Sequence, residues 1–317
     1  MSLYKAYRFI QVLSLVCYTV TFVTGVLGNG LVIWIAGFKM KTINAIWFLN
    51  LAIADFICNL GLPLRISQWA IPTDYEKDLC MIAITVMFIN MFASVYFLTV
   101  ISVDRCVSVL FPFWSKIYRT HRLASIVAFL TWLLCLLSSV PHVVSNYTYK
   151  DTSECFPKYE KWLQDDEDGQ GTDVIVIIRN LCMFSFPFII IFISYGLIAY
   201  KVKTMKRSKH SSKPFQVIIT IVVCFFICWF PYNTWPLISL NPKHLRVHMV
   251  ITEICLCLAY FNSCINPIIY VFFSQDFKKG FLSSMPAKLE SLFNERPDLT
   301  TEESDFKETN VELKSCG

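Results

Sequence analysis

A seven-helix membrane bundle is the fold class the sequence predicts, and three observations predict it. Hydrophobic residues make up 55% of the 317, charged residues only 16%, and the mean hydropathy of +0.53 exceeds that of soluble domains. Seven stretches of helix length pass almost without charge, as a bilayer span of roughly 20 residues requires. Lys and Arg gather in alternate loops, the pattern of a multi-pass protein with its basic loops in the cytoplasm.

The stretches run from Phe9 to Phe38, Thr42 to Leu64, Leu79 to Val103, Leu123 to Tyr149, Asn180 to Tyr200, Pro214 to Pro242 and Ile254 to Gln275. Asp55 is the one charge inside any of them. Their amphipathic period is weak because lipid-facing and protein-facing sides are both apolar. Barrel strands would instead alternate over about ten residues. The basic loops hold Lys39, Lys41, Lys116, Arg119, Arg122 and the run from Lys201 to Lys213, whereas the opposite loops hold Asp74, Glu76, Asp78 and "DDEDG" at 165–169. The amino terminus is therefore expected outside and the carboxyl tail inside.

Four segments follow: an extracellular tail at 1–8, the spanning domain at 9–275, an amphipathic membrane-surface helix at 276–293 with Phe277, Phe281 and Leu282 on its apolar face, and a disordered acidic tail at 294–317. No cleavable signal segment is expected, since the first apolar run is too long for one. An inverted repeat and a chain of mid-span charges, the marks of a transporter, are missing from the pattern. Nor are a nucleophile, base and orienter spaced for chemistry, so an enzyme is not expected. The bilayer is the expected environment and nucleic acid is not a partner.

Most of the 13 cysteines lie in spans, where a thiol behaves as a small apolar group. Cys80 and Cys155 differ, one opening the third span on the outer side and the other alone in the long loop after the fourth. A disulfide between them is permitted in that oxidising compartment and would fold the loop over the bundle mouth. "NYT" at 146–148 makes Asn146 a glycosylation acceptor on the same side. Asp55 lies mid-span, where an ionisable group is costly and faces a polar interior. Asn29, Asn90, Ser94, Asn262 and Asn266 are available as its partners from neighbouring spans. Pro231 and Pro267 each remove a helix hydrogen bond and kink their spans.

"GN" at 28–29, "LAIAD" at 51–55, "DRC" at 104–106, Trp132, Pro187, "CWFP" at 228–231 and "NPIIY" at 266–270 occur in this order on the right spans. With them the chain resembles a rhodopsin-like (class A) G-protein-coupled receptor over residues 9–282. The resemblance implies that Asp55, Asn90, Ser94, Asn262 and Asn266 form an allosteric sodium pocket; no other cofactor or metal is expected. It implies that Trp229, two residues before the Pro231 kink, moves on activation, with Val95, Pro187 and Phe225 as the packing switch beneath the ligand. Asp104, Arg105, Cys106 and Tyr270 fall on the G-protein-coupling positions. At rest Asp104 and Arg105 are expected to pair with each other. Cys106 stands where tyrosine is commoner, and "KHSSK" at 209–213 lacks the acid that tethers the arginine in many relatives.

"DRCVSVLFPFWSKIYRTHR" and "AYFNSCINPIIYVFFSQDFKKGF" resemble the chemoattractant group of formyl-peptide, chemerin, anaphylatoxin and prostaglandin D receptors, and "SSMPAKLESLFNE" is similar to formyl-peptide receptor tails. The resemblance gives Arg179 the role of receiving a peptide's terminal carboxylate, with Arg65 as a second outer arginine in want of an anion or water. Phe88 occupies the place of the formyl-peptide receptors' pocket aspartate, which argues against formyl-methionine recognition. The loop from Ser145 to Thr172 carries Asp151, Glu154, Glu160, Asp165, Asp166, Glu167 and Asp168 against three lysines, a field that draws cationic ligands. A basic peptide with a free carboxyl end satisfies both features; a lipid acid such as a prostaglandin satisfies the arginines alone. Signalling through inhibitory-class heterotrimeric G proteins is implied, and Thr300, Thr301, Ser304 and Thr309 are phosphorylation candidates for arrestin binding. A scavenging receptor that binds without signalling is the alternative.

Overall fold

The computed structural model describes residues 3–70, 76–148, 177, 180–204, 213–235 and 245–273. Several helix-end side chains, including those of Cys80, Asn146 and Tyr270, lie outside this description, as do Arg179, Cys155, residues 276–293 and the tail with Thr300, Thr301, Ser304 and Thr309.

The described residues are helical almost throughout. In chain order they form α1 (Leu3–Trp34), α2 (Ile43–Ala70), α3 (Glu76–Leu110), a short α4 (Pro112–Tyr118), α5 (His121–Thr148), α6 (Phe186–Thr204), α7 (Lys213–Thr234) and α8 (Leu245–Phe273). Six of these are long and apolar enough to cross a membrane, and α7 contributes a shorter apolar stretch, Ile218–Thr234. Together they make the expected seven-span bundle, with α4 as a short connector between α3 and α5. Large apolar side chains such as Leu27, Phe129 and Phe192 are exposed around the bundle, while its interior is a mixture of apolar and polar residues. That inversion suits lipid as the surrounding solvent.

Proline shapes the helices without ending them. Pro63, Pro141, Pro231 and Pro267 lie inside α2, α5, α7 and α8. Before Pro187 a wide π turn, Leu181–Ser185, opens α6, and the Phe186 N–H reaches five residues back to the Leu181 carbonyl. The extra residue takes up the register lost to the missing proline donor. A second π turn, Ile35–Lys39, closes α1.

Two charges revise the span boundaries. Arg65 lies within α2 and Glu253 within α8, both inside membrane-length segments, Ile43–Ser67 and Val250–Ile269. Asp55 is thus not the single charge among the spans. Close approach draws α1 against its neighbours. A Cβ on Gly25 would run into the Asn59 amide, and one on Gly28 would sit 3.0 Å from Pro267 Cβ. Only glycine lets α2 and α8 come so near at these two positions.

Candidate functional site

Three sites stack along the bundle. At mid-depth Asp55 is fully buried, and both its carboxylate oxygens are held: Asn90 Nδ2 donates to one at 2.8 Å and Asn266 Nδ2 to the other at 2.8 Å. Ser94 Oγ approaches the same carboxylate without reaching hydrogen-bond geometry. Asn90 Oδ1, Asn266 Oδ1 and both polar atoms of Asn262 are buried without a partner among the described residues. Asn29 turns aside from the acid and donates to the Gly25 and Ser263 carbonyls at 2.9 and 2.7 Å. Sequence reading missed Asn59 and Ser263. Asn59 donates to the Asp55 carbonyl at 2.7 Å, and Ser263 Oγ donates to Asn59 Oδ1 at 3.1 Å. The available signal was the asparagine four residues after Asp55, a spacing that lets an amide return to the i−4 carbonyl. A carboxylate beside buried amide and hydroxyl oxygens is a donor set suited to a hard cation or to water.

Nearer the outer side, Arg65 meets an anion of its own chain. Its Nη2 lies 2.9 Å from Glu253 Oε1, with side-chain exposures of 3% and 6%. The Tyr18 hydroxyl donates to the other oxygen, Glu253 Oε2, at 2.9 Å, and the Tyr18 ring stands edge-on to Tyr260 with centroids 5.5 Å apart. So the guanidinium that wanted an anion has Glu253, a residue sequence reading placed outside the last span. Removing one member of such a buried pair costs about 3–5 kcal/mol, because the survivor is an uncompensated charge.

Aromatic rings form the layer between these sites and the side of α6 and α7. Trp229 is fully buried, 6.3 Å from Phe225 and 6.1 Å from Tyr232, which in turn lies 6.5 Å from Phe88. The Trp229 indole Nε1 and Asn233 Oδ1 are buried with no partner among the described residues. Val95 and Pro187 are buried, as is Phe225. Phe88 is itself buried, 5% exposed, so it stands inside the bundle and not on the lipid face.

At the end of α3 that carries Asp104 and Arg105 the expected pairing changes. Asp104 does not take Arg105 as its ion-pair partner. Its oxygens receive Arg119 Nε and Nη2, each at 2.7 Å, and Arg119 Nη2 also donates to Asn44 Oδ1 at 2.7 Å. Adjacent residues on a helix point about 100° apart, whereas α4 folds back and brings Arg119 beneath the carboxylate. Ser115 and Ser108, 3.2 Å apart, hold the same fold-back. Arg105 is partly exposed, while Cys106 is buried. Trp132 Nε1 donates to Asn50 Oδ1 at 2.9 Å and packs edge-on against Phe97, fixing α5 to α2 and α3.

A helical bundle with a buried acid at its centre, a kinked helix bearing a buried tryptophan, and an arginine at the inner end of its third span defines a seven-span receptor. The chain belongs to the family described as 7 transmembrane receptor (rhodopsin family), whose model matches residues 28–270. Its members are receptors and not enzymes. Among curated relatives it is 36% identical to Formyl peptide receptor 2 of Mus musculus, over 97% of this chain and 93% of that receptor. It is 40% identical to Chemerin-like receptor 1 of Sus scrofa, over 86% of this chain and 80% of that one. With the C3a anaphylatoxin chemotactic receptor of Danio rerio it shares 37% identity, over 90% of this chain and 79% of the relative. The chain is a multi-pass membrane receptor of the chemoattractant group.

Proposed function

We propose that this receptor binds an extracellular peptide through the peptide's free carboxyl end and activates heterotrimeric G proteins of the inhibitory class at the plasma membrane, with its amino terminus outside. The buried Arg65–Glu253 pair is the observation that favours a peptide over a lipid acid. A two-arginine anion site would suit a lipid acid, but Arg65 already has its carboxylate. Arg179 is then the outer arginine assigned to a ligand carboxylate. Peptide ligands also agree with the names of relatives from three receptor types.

Ligand contact displaces Trp229, whose packing on Phe225 is a tilted apolar ring contact, so rotation breaks no hydrogen bond between the two. The inner part of α7 then moves away from Arg105, which faces the G protein. Asp55 with Asn90, Ser94, Asn262 and Asn266 holds the resting arrangement, and a sodium ion there would neutralise the carboxylate in a dry interior. Phosphorylation of the tail at Thr300, Thr301, Ser304 and Thr309 would add the negative charge that arrestin reads. Cys80–Cys155 would close the long outer loop, and Asn146 would carry a glycan.

The test is a ligand screen in cells, read by calcium and cyclic AMP, followed by a comparison of each active peptide with its carboxyl-amidated form. Amidation and Arg179→Ala should each weaken potency severalfold more than Lys161→Ala, since a charge-assisted bond in a dry pocket exceeds a solvated one. Equal potency of acid and amide would remove the carboxylate reading. Agonist binding without nucleotide exchange on purified G protein would instead show a scavenging receptor.

A further inference from the structure

The Tyr18–Arg65–Glu253 cluster is not an isolated ion pair. From Glu253 inward, α8 meets α1 and α2 at successive steps: Glu253 on Arg65 and Tyr18, Tyr260 on the Tyr18 ring, Ser263 on Asn29 and Asn59, and Asn266 on Asp55. The 14 residues from Glu253 to Asn266 span about 20 Å of continuous helix. No glycine interrupts that segment, and Pro267 follows it directly. Pro267 lacks the N–H that would reach the Ser263 carbonyl, and that carbonyl accepts instead from the Asn29 and Asn59 amides at 2.7 and 3.4 Å. The weakened turn therefore lies within the seam, is braced there by α1 and α2, and the segment moves as one rod. Its outer end carries a buried ion pair and its inner end carries one of the two amides that hold Asp55.

We infer that Arg65, Glu253 and Tyr18 are positioning residues for the Asp55 pocket, fixing the outer arm of α8 so that Asn266 stays on the Asp55 carboxylate. The inference rests on the reading of Asp55 as a sodium pocket, and adds residues lying roughly 20 Å from it along α8. Arg65 cannot stay buried without its counter-ion, so loss of the Glu253 charge drives the α2 and α8 outer ends apart. The rod carries that displacement to Asn266, whose hydrogen bond to Asp55 is short and directional. Coupling of this kind is reciprocal: whatever tightens the Asp55 pocket also tightens the outer triad.

Full-length receptor, purified in detergent, is melted in sodium chloride and in choline chloride at equal ionic strength. The wild type should gain thermal stability specifically from sodium, and Asp55→Asn should lose that gain entirely. Glu253→Gln and Tyr18→Phe should each lose about half or more of the sodium-specific gain, whatever they do to the melting temperature in choline. The exchanged pair Arg65→Glu with Glu253→Arg should recover most of it. Tyr18→Phe removes a single hydroxyl and keeps the test available if Glu253→Gln fails to fold. A sodium gain that Asp55→Asn abolishes, yet Tyr18→Phe and Glu253→Gln leave intact, would overturn the positioning role and leave the pocket reading standing. Absence of any sodium gain in the wild type would overturn the pocket reading and the inference together.

Discussion

Asp104→Asn, set beside Arg119→Gln, separates two accounts of how the Asp104 end of α3 is held. In the structure the carboxylate receives two charge-assisted hydrogen bonds from Arg119, both at 2.7 Å, with side-chain exposures of 11% for Asp104 and 24% for Arg119. Asparagine keeps one acceptor for Nε but presents an amide N–H₂ to Nη2, so one bond and the whole charge attraction are lost. Two such bonds deep in a protein would be worth several kcal/mol, but this pair sits at the wet edge of the bundle, and about 1–1.4 kcal/mol is the fitting magnitude. A contact made only in the resting arrangement contributes all of its energy to the two-state balance, whereas one kept in both contributes nothing. Agonist-free nucleotide exchange, measured in membranes at matched surface expression, should therefore rise about five- to tenfold. Arg119→Gln should raise it equally, and the double variant should go no further, since both remove one interaction. An unchanged rate for Arg119→Gln beside a raised rate for Asp104→Asn would return Asp104 to Arg105 and refute the Arg119 lock.

Further outcomes follow from the same geometry. Ser211→Glu, which puts an acid into "KHSSK", should lower agonist-free exchange by supplying the missing cross-helix tether. Phe88→Asp should raise the calcium response to fMet-Leu-Phe in receptor-expressing cells, and a strong wild-type response to that peptide would show that Phe88 does not exclude it. Trp229→Phe keeps most of the buried ring and should leave surface expression near normal while reducing maximal agonist response severalfold in the same calcium assay. Gly25→Ala should lower the melting temperature of the purified receptor by several degrees, because its methyl would displace the Asn59 amide from the Asp55 carbonyl, a cost of about 1–3 kcal/mol.

Span number, the members closest to Asp55 and the buried Trp229 were legible in the sequence because each stands out from an apolar background. A lone acid in "LAIAD" needs partners, and Asn90 and Asn266 supply them. What escaped are pairings between charges far apart in the chain. Marking spans by the gaps between charges makes every charge a boundary, so a buried pair such as Arg65 and Glu253, 188 positions apart, reads as two span ends. The demand of Arg65 for an anion was readable; the partner was not, since it depends on how α2 and α8 face each other. Asp104 misled in the opposite way. Its neighbour in the chain offers the opposite charge, but helix geometry turns the two side chains apart and a turn after α3 delivers a better donor.

The distribution of these contacts divides the bundle into a fixed side and a movable one. Lipid is as apolar as leucine, so apolar burial alone holds transmembrane helices together weakly, and directed polar contacts decide which of them stay in register. The outer part of α8 is tied to α1 and α2 by an ion pair, a tyrosine hydroxyl and three amide or hydroxyl bonds around Ser263 and Asn266. The described contacts of α7 with α6 and the π turn before it are mainly ring against ring, Phe184 with Phe226 and Phe230 and Phe188 with Phe226 at centroid distances of 5.3, 5.9 and 5.3 Å, beside one long amide bond from Asn180 Nδ2 to the Asn233 carbonyl at 3.4 Å. Edge-to-face pairs are worth about 0.5–1.5 kcal/mol each beyond burial and survive sliding by re-forming with the next ring. Breaking the α8 seam strands buried polar groups, whereas shifting α7 exchanges one aromatic neighbour for another. Motion that begins at Trp229 therefore has its cheap path along α7, while the turn of α8 that Pro267 weakens is held to α1 and α2 through the Ser263 carbonyl.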